Sequence, residues 1–201
     1  MQPVRIFLAS SNELKREREL FEIEIYRKCK AWLEKDIFLY LDIWEDLSAK
    51  MAEGGSQSAY NEFVKKADLV VLLAHTKVGK YTEEEFDTAF GQFKETQKPF
   101  VFTYFKDGVT ATKNNRADIN SLYDFQDKLS DLGHFYSSFT DFNHLWNQFN
   151  KELERLESND FSKNEQEGKI EKESAGVYNS KNVVQNVEIK KLKGGFRVGD
   201  G

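Results

Sequence analysis

The sequence predicts an α/β domain: a doubly wound, mostly parallel sheet of five strands with helices on both faces. Apolar segments alternate with amphipathic helical segments over about residues 4 to 156, and the segment at 67–74, ADLVVLLA, is nearly all apolar. A continuous apolar run indicates a strand that is buried on both faces, as in a parallel sheet. Strands that are each followed by a helix are typical of the doubly wound class.

The strands are predicted from short apolar runs between polar segments. In chain order they are VRIFLA (4–9), IFLYLDIW (37–44), ADLVVLLA (67–74), KPFVFTYF (98–105) and HFYSSF (134–139). A helical segment follows each of them. These segments run from about Ser11 into the thirties and over 58–67, 82–94, 114–132 and 141–156. In the first helix, Leu20, Ile23 and Tyr26 are among the apolar positions, and Cys29 is expected to be a small packing residue.

Composition changes after residue 156, where we expect the domain to end. Residues 157–178 are polar, highly charged and without a hydrophobic period, which predicts a flexible linker. Residues 179–201 alternate apolar and polar side chains, as a short strand or hairpin does. A tail this short cannot form its own core, so we expect it to pair with another chain or to lead into a partner module.

Composition also excludes several classes of function. The 201 residues carry a net charge of −5, which argues against a nucleic-acid partner. Cys29 is the only cysteine, which excludes an internal disulfide and a cysteine zinc cluster. His134 and His144 give no metal-ligand spacing, so we expect no metal site. No apolar run is long enough for a membrane helix, and the N-terminus runs into a strand without a secretory signal pattern, so we expect a cytoplasmic protein.

Ligands of open parallel sheets bind at the carboxyl ends of the strands. After the first strand, Ser10, Ser11 and Asn12 offer hydroxyl groups and free amides that suit a phosphate or a ribose. The structural alternative is a capping box between Ser10 and Glu13 at the start of a helix. The segment has no GxGxxG pattern and GKYT is not a P-loop, so a conventional dinucleotide or Walker site has no support.

Three consecutive glutamates begin the third helix. Phe86, Ala89, Phe90 and Phe93 recur at i, i+3, i+4 and i+7, so we expect them to face the sheet. This geometry directs Glu84 into water and places Glu83 and Glu85 on opposite sides of the stripe. Either residue is then a candidate catalytic carboxylate, and the alternative is a capping box between Thr82 and Glu85.

Further candidates lie at the same predicted edge of the sheet. Trp44 and Tyr81 offer rings that can stack on nicotinamide or adenine, although partly buried packing is the commoner role of such residues. Asp46 follows the second strand, and His75 at the end of the third is a candidate hydrogen-bond donor. We take all four as candidate substrate-binding residues.

Four segments within residues 4 to 150 share a recognisable pattern: RIFLASSNELKRER, LYLDIWED, QSAYNEFVKKADLVVLLA and KVGKYTEEEFDTAF. With these segments the chain resembles a TIR (Toll/interleukin-1 receptor) domain of the bacterial kind that acts in antiphage defence. TIR domains carry an aromatic residue, often Trp, four positions before a glutamate at the start of the helix after strand three. Tyr81 and Glu85 match this pair, so the resemblance implies that Glu85 is the catalytic residue.

The resemblance implies a flavodoxin-like fold and cleavage of the nicotinamide–ribose bond of NAD, with NAD as the substrate and no bound cofactor. The product would be ADP-ribose or a cyclic ADP-ribose isomer. It also implies self-association into a dimer or a higher assembly that completes the site. The sequence departs from the family in having Tyr81 in place of Trp, no Ser-Pro after strand three, and Gly54-Gly55 in the loop after strand two.

Two other functions fit the same residues. A nucleoside deoxyribosyltransferase-like enzyme shares the general fold and also uses a glutamate beside a ribose. A TIR-type adaptor or nucleotide sensor would bind partners without catalysis. Substrate screening separates the two enzymes, because a transferase exchanges bases on deoxynucleosides and ignores NAD.

Overall fold

A parallel sheet of five strands forms the centre of the protein. The computed structural model describes residues 1–43 and 57–158. The strands are β1 (Gln2–Ser10), β2 (Ile37–Ile43), β3 (Leu69–Ala74), β4 (Phe100–Lys106) and β5 (Tyr136–Phe139). They lie in the order β2-β1-β3-β4-β5, and every neighbouring pair is parallel. The prediction of a mostly parallel sheet is confirmed, and the five predicted strands are the five observed ones.

Helices cover both faces of this sheet. They are α1 (Lys15–Trp32), α2 (Gln57–Lys66), α3 (Lys80–Thr96), α4 (Arg116–Asp131) and α5 (Phe142–Leu156). One hydrophobic cluster packs α1 and α5 against the sheet, and a second packs α2, α3 and α4 against the opposite face. None of the described helices is long and apolar enough to cross a membrane.

In an open sheet with this strand order, ligands bind in the crevice between β1 and β3. The order 2-1-3-4-5 is that of flavodoxin-like folds, in which the connections leave β1 and β3 toward opposite faces. In this chain α1, which follows β1, lies on one face and α3, which follows β3, lies on the other. The carboxyl ends of β1 and β3 therefore form the topological switch point.

The buried side of α1 differs from the predicted one. Its core residues are Phe21, Ile25, Cys29 and Trp32, which recur every three or four positions. Ile23 and Tyr26 are exposed on the opposite side, so the apolar pattern assigned to them was wrong. Cys29 is buried, and its sulfur accepts a hydrogen bond from the Leu39 amide at 3.4 Å, which confirms its packing role.

The helix α3 begins two residues earlier than predicted and is rotated relative to the predicted stripe. Its buried residues are Thr82, Glu85, Phe86 and Ala89. Phe90 and Phe93 are only half buried, and Phe90 stacks on Phe86 and lies edge-on to His134. The rotation brings Glu85 into the face of the helix that packs on the sheet.

Several predictions fall outside the described residues. They concern the candidate substrate-binding residues Trp44 and Asp46, the Gly54-Gly55 loop, most of the linker at 157–178 and the β-like tail at 179–201. The helix α5 ends at Leu156, where the predicted domain ends. Just beyond it, the Ser158 hydroxyl still donates a hydrogen bond to the Glu154 carbonyl at 3.0 Å.

Candidate functional site

The candidate site lies where β1 and β3 end side by side. Ser10 pairs with Leu73 in the register of the two strands, so the loop after Ser10 and the loop after Ala74 leave the sheet together. The first loop enters a short 3-10 helix, Asn12–Leu14, and the second enters α3 at Lys80. Candidate residues separated by more than sixty positions in the sequence therefore share one edge.

Arg18 fixes the end of β1. Its guanidinium Nη1 donates hydrogen bonds to the Ser10 hydroxyl and to the Ser11 carbonyl, each at 2.8 Å. Both Ser10 and Arg18 are buried, and Arg18 makes further contacts. The Ser10 hydroxyl is therefore held in a fixed place at the crevice, while Asn12 is exposed beside it.

Glu13 does not form the predicted capping box with Ser10. Its Oε1 accepts hydrogen bonds from the Thr76 amide at 2.9 Å and from the Ser11 hydroxyl at 3.0 Å, and its Oε2 accepts one from the Thr76 hydroxyl at 2.5 Å. His75 Nδ1 lies 3.7 Å from Oε2. Glu13 therefore does not cap its own helix, and it connects Ser11 of its own loop to Thr76 in the loop after β3.

The three glutamates of α3 have three different environments. Glu83 accepts a hydrogen bond from Lys128 of α4 at 2.7 Å, so it points along the sheet toward α4. Glu84 lies 3.7 Å from Lys80, and 38% of its side chain is exposed, less than the 46% of Glu83. The prediction that Glu84 points directly into water was wrong, because rotation of the helix moves it partly against the protein.

Glu85 is the buried member of the three. Only 8% of the residue is exposed, and among the described residues no hydrogen bond or opposite charge acts on its carboxyl group. Burial raises the pKa of Glu85 to about 7, and the negative charge of Glu84 adds to the rise. The predicted capping box with Thr82 is absent, since the helix begins at Lys80 with Gly79 as its N-cap.

The other candidates occupy the two loops as expected from the strand ends. Tyr81 lies in the first turn of α3 and is 65% exposed, so its ring is free of the core. His75 is half buried beside Glu13. No side chain of the described residues caps the N-terminus of α3, and uncapped helix N-termini favour phosphate groups.

Besides Arg18, three charged residues near this edge were not identified from the sequence as site residues: Glu17, Asp42 and Lys106. Glu17 is buried on α1 and accepts a 2.6 Å hydrogen bond from Lys106 at the end of β4, and Asp42 is buried at the end of β2 with partners of its own. Each falls at a strand end or in the first turn of a helix, but only packing distinguishes it from the many exposed charges of the chain.

The described residues include no cluster of His, Cys, Asp and Glu suited to a metal ion. They do include a groove between α3 and α4, lined by Phe90, Leu132 and charged residues such as Asp87, Asp127 and Lys128. None of the predicted site residues lines this groove, and Lys128 is engaged there by Glu83 and Asp87. The candidate site residues at the carboxyl edge are therefore separate from this groove.

Comparisons with protein-family models, with curated proteins and with solved structures return no match for this chain.

Proposed function

We propose that this protein cleaves the nicotinamide–ribose bond of NAD, with Glu85 as the essential carboxylate. The observation that carries the proposal is a buried carboxyl group without a described partner, in the first turns of the helix that follows β3, one of the two strands of the switch point. A structural carboxylate in such a place would normally be paired, because burying an unpaired charge is costly. Perturbed, unpaired ionisable groups near ligand crevices are typical of catalytic sites.

The chemistry needs one anion near the ribose. When the bond between C1′ and the pyridinium nitrogen breaks, its electron pair leaves with nicotinamide, which departs as a neutral base. The ribose is left as an oxocarbenium-like cation, which the Glu85 carboxylate stabilises while accepting a hydrogen bond from a ribose hydroxyl, as carboxylates do in glycoside hydrolysis. Attack by water gives ADP-ribose, and attack by the adenine of the same molecule gives a cyclic isomer. Either attack releases one proton to the solvent.

The surrounding residues supply complementary contacts. The exposed Tyr81 ring is available for stacking on a base. The uncapped start of α3 and the Ser11 loop favour a diphosphate. When the cationic nicotinamide ring binds beside Glu85, its positive charge would favour the ionised carboxylate of Glu85. This is the form that the reaction uses.

The resemblance to bacterial TIR domains supports the same activity and adds two proposals. One is a role in immune signalling against phage. The other is self-association into a dimer or higher assembly that completes the site. A persistently monomeric protein with full activity would refute the second.

The test is nicotinamide release from NAD by the purified full chain at high concentration, with product identification by mass spectrometry. Glu85→Gln is expected to lower the rate on the order of a hundredfold or more, the effect of removing an electrostatic stabiliser. Glu83→Gln is the matched control, because it makes the same change in the same helix but faces α4.

Each contrary outcome has a distinct meaning. Equal release by the wild type and Glu85→Gln would show that Glu85 is the wrong residue. Absence of release even under forced clustering would favour a binding adaptor. Base exchange on deoxynucleosides without NAD cleavage would favour a deoxyribosyltransferase.

A further inference from the structure

Glu13 connects the two loops of the candidate site directly. Both Thr76 hydrogen bonds, from its amide and from its hydroxyl, end on the Glu13 carboxylate, 63 positions away in the sequence. Ser11 adds a third bond within the first loop. A carboxylate that receives several well-aligned donors forms some of the stronger hydrogen bonds in proteins.

The ionised form of Glu13 suits this role. Partial burial by itself would raise the pKa of Glu13, but the hydrogen bonds from Thr76 and Ser11 outweigh burial and hold the pKa below its ordinary value of 4.5. The nearby His75 also lowers the pKa of Glu13. The carboxylate is therefore charged, and able to accept all three bonds, at neutral pH.

The connection controls where α3 begins. Thr76 precedes Lys80, the first residue of α3, by four positions. The loop between them has a second attachment, because the Val78 amide donates a hydrogen bond to the Ser121 hydroxyl of α4 at 3.3 Å and the Val78 side chain is buried. The start of the helix that carries Glu85 is thus attached to the segment after β1 on one side and to α4 on the other.

We propose that Glu13 is a positioning residue: by holding Thr76 it sets the distance between the Ser10–Ser11 loop and the helix that carries Glu85. This inference rests on the proposed cleavage of NAD. The described hydrogen bonds of Glu13 join it to Ser11 and Thr76 and not to Glu85. It acts through the backbone of the loop after β3, because a small misplacement of a catalytic group is enough to slow the chemical step.

The experiment measures kcat and KM for nicotinamide release by the full chain in five forms: wild type, Glu13→Ala, Glu13→Gln, Thr76→Val, and Glu13→Ala with Thr76→Val. Glu19→Ala is the matched control, because Glu19 is an exposed glutamate of α1 whose nearest cation, Lys15, lies at 3.8 Å. Amide hydrogen exchange at Thr76 is measured on the same proteins, and thermal unfolding verifies that each is folded.

We expect Glu13→Ala to lower kcat by roughly ten- to a hundredfold with a much smaller change in KM, since the lost interaction matters most in the transition state. Thr76→Val should lower kcat by less, because the hydrogen bond from the backbone amide of residue 76 to Glu13 remains. Glu13→Gln should recover most of kcat, because its side-chain oxygen still accepts from Thr76. The double variant should match Glu13→Ala, as expected for two residues that act through one contact. Exchange at Thr76 should rise in Glu13→Ala and not in Glu19→Ala.

Three results would overturn the inference while the proposed function stands. They are an active wild type with unchanged kcat in Glu13→Ala, additive losses in the double variant, or Thr76 exchange that does not depend on Glu13. A lower KM or higher kcat in Glu13→Ala would also overturn it, because Glu13 would then occupy space that the substrate needs. A wild type that does not cleave NAD would refute the proposed function, and the positioning role with it, even if Thr76 exchange depends on Glu13.

Discussion

The buried Glu85 carboxyl predicts an unusual dependence of stability on pH. Its pKa is about 7 in the folded protein and 4.5 is its ordinary value, so between these values the folded chain holds a proton that the unfolded chain has lost. Stability falls with rising pH wherever the folded state binds more protons. The contribution of Glu85 is therefore complete below about pH 4.5, is lost as pH rises toward 7, and is absent above it.

The size of the effect follows from the same two values. The interval from 4.5 to about 7, at about 1.36 kcal/mol per pH unit, corresponds to roughly 3 kcal/mol of unfolding free energy. No large discount for solvent applies, because only 8% of the residue is exposed. In Glu85→Gln this position no longer titrates. As pH rises from acidic to alkaline, the free energy of unfolding of the wild type should therefore fall by about 3 kcal/mol more than that of the variant.

Urea unfolding of both proteins at several pH values measures the difference directly. Other carboxyl groups titrate in both chains and cancel in the comparison. Glu19→Gln, an exposed change on α1, is the matched control. Parallel curves for the wild type and Glu85→Gln would refute the argument, because they would mean that Glu85 titrates alike in the folded and unfolded chains.

Three further predictions concern the same helix. The kcat/KM for NAD should rise about tenfold per pH unit up to about pH 7 and then level off, since it follows ionisation of Glu85 in the free enzyme; initial rates measure this, and a flat profile would contradict it. If the ring stacks on a base, Tyr81→Ala should raise KM in steady-state kinetics by roughly five- to a hundredfold, while Tyr81→Phe stays close to the wild type. Equal KM values for all three proteins would exclude stacking. Phe86→Ala should lower the free energy of unfolding, measured in urea, by about 3 to 5 kcal/mol, because Phe86 is fully buried against Phe90 and Phe125. A loss below about 1 kcal/mol would show that Phe86 does not contribute to the core as described.

The sheet could be predicted because its signal is local. The run LVVLLA of β3 is buried at every position, as a continuous apolar run predicts for a strand of a parallel sheet. The alternation of such runs with helical segments then leaves few topologies, and the observed order is one of the common ones.

The side chains at the edge could be predicted only in part, because their partners are distant in the sequence. The S-x-x-E pattern of Ser10 and Glu13 suits a capping box, and only the pairing of β1 with β3 shows that Glu13 reaches Thr76 instead. The rotation of α3 depends likewise on the packing of Phe90 beside His134. Periodicity alone placed Glu85 beside the apolar stripe, whereas it lies within the buried face.

The long sequence separation between Glu13 and Thr76 also bears on how the chain folds. Joining β1 to β3 closes a loop of about sixty residues, whereas β3, α3 and β4 are continuous and can associate at a smaller cost in chain entropy. A partly folded chain that has assembled only its later strands already has Glu85 on its helix but lacks the opposite wall of the crevice. Ligand binding at this edge would therefore report completion of the whole sheet, and truncation or slow pairing of the first strand would abolish it before the rest of the domain is lost.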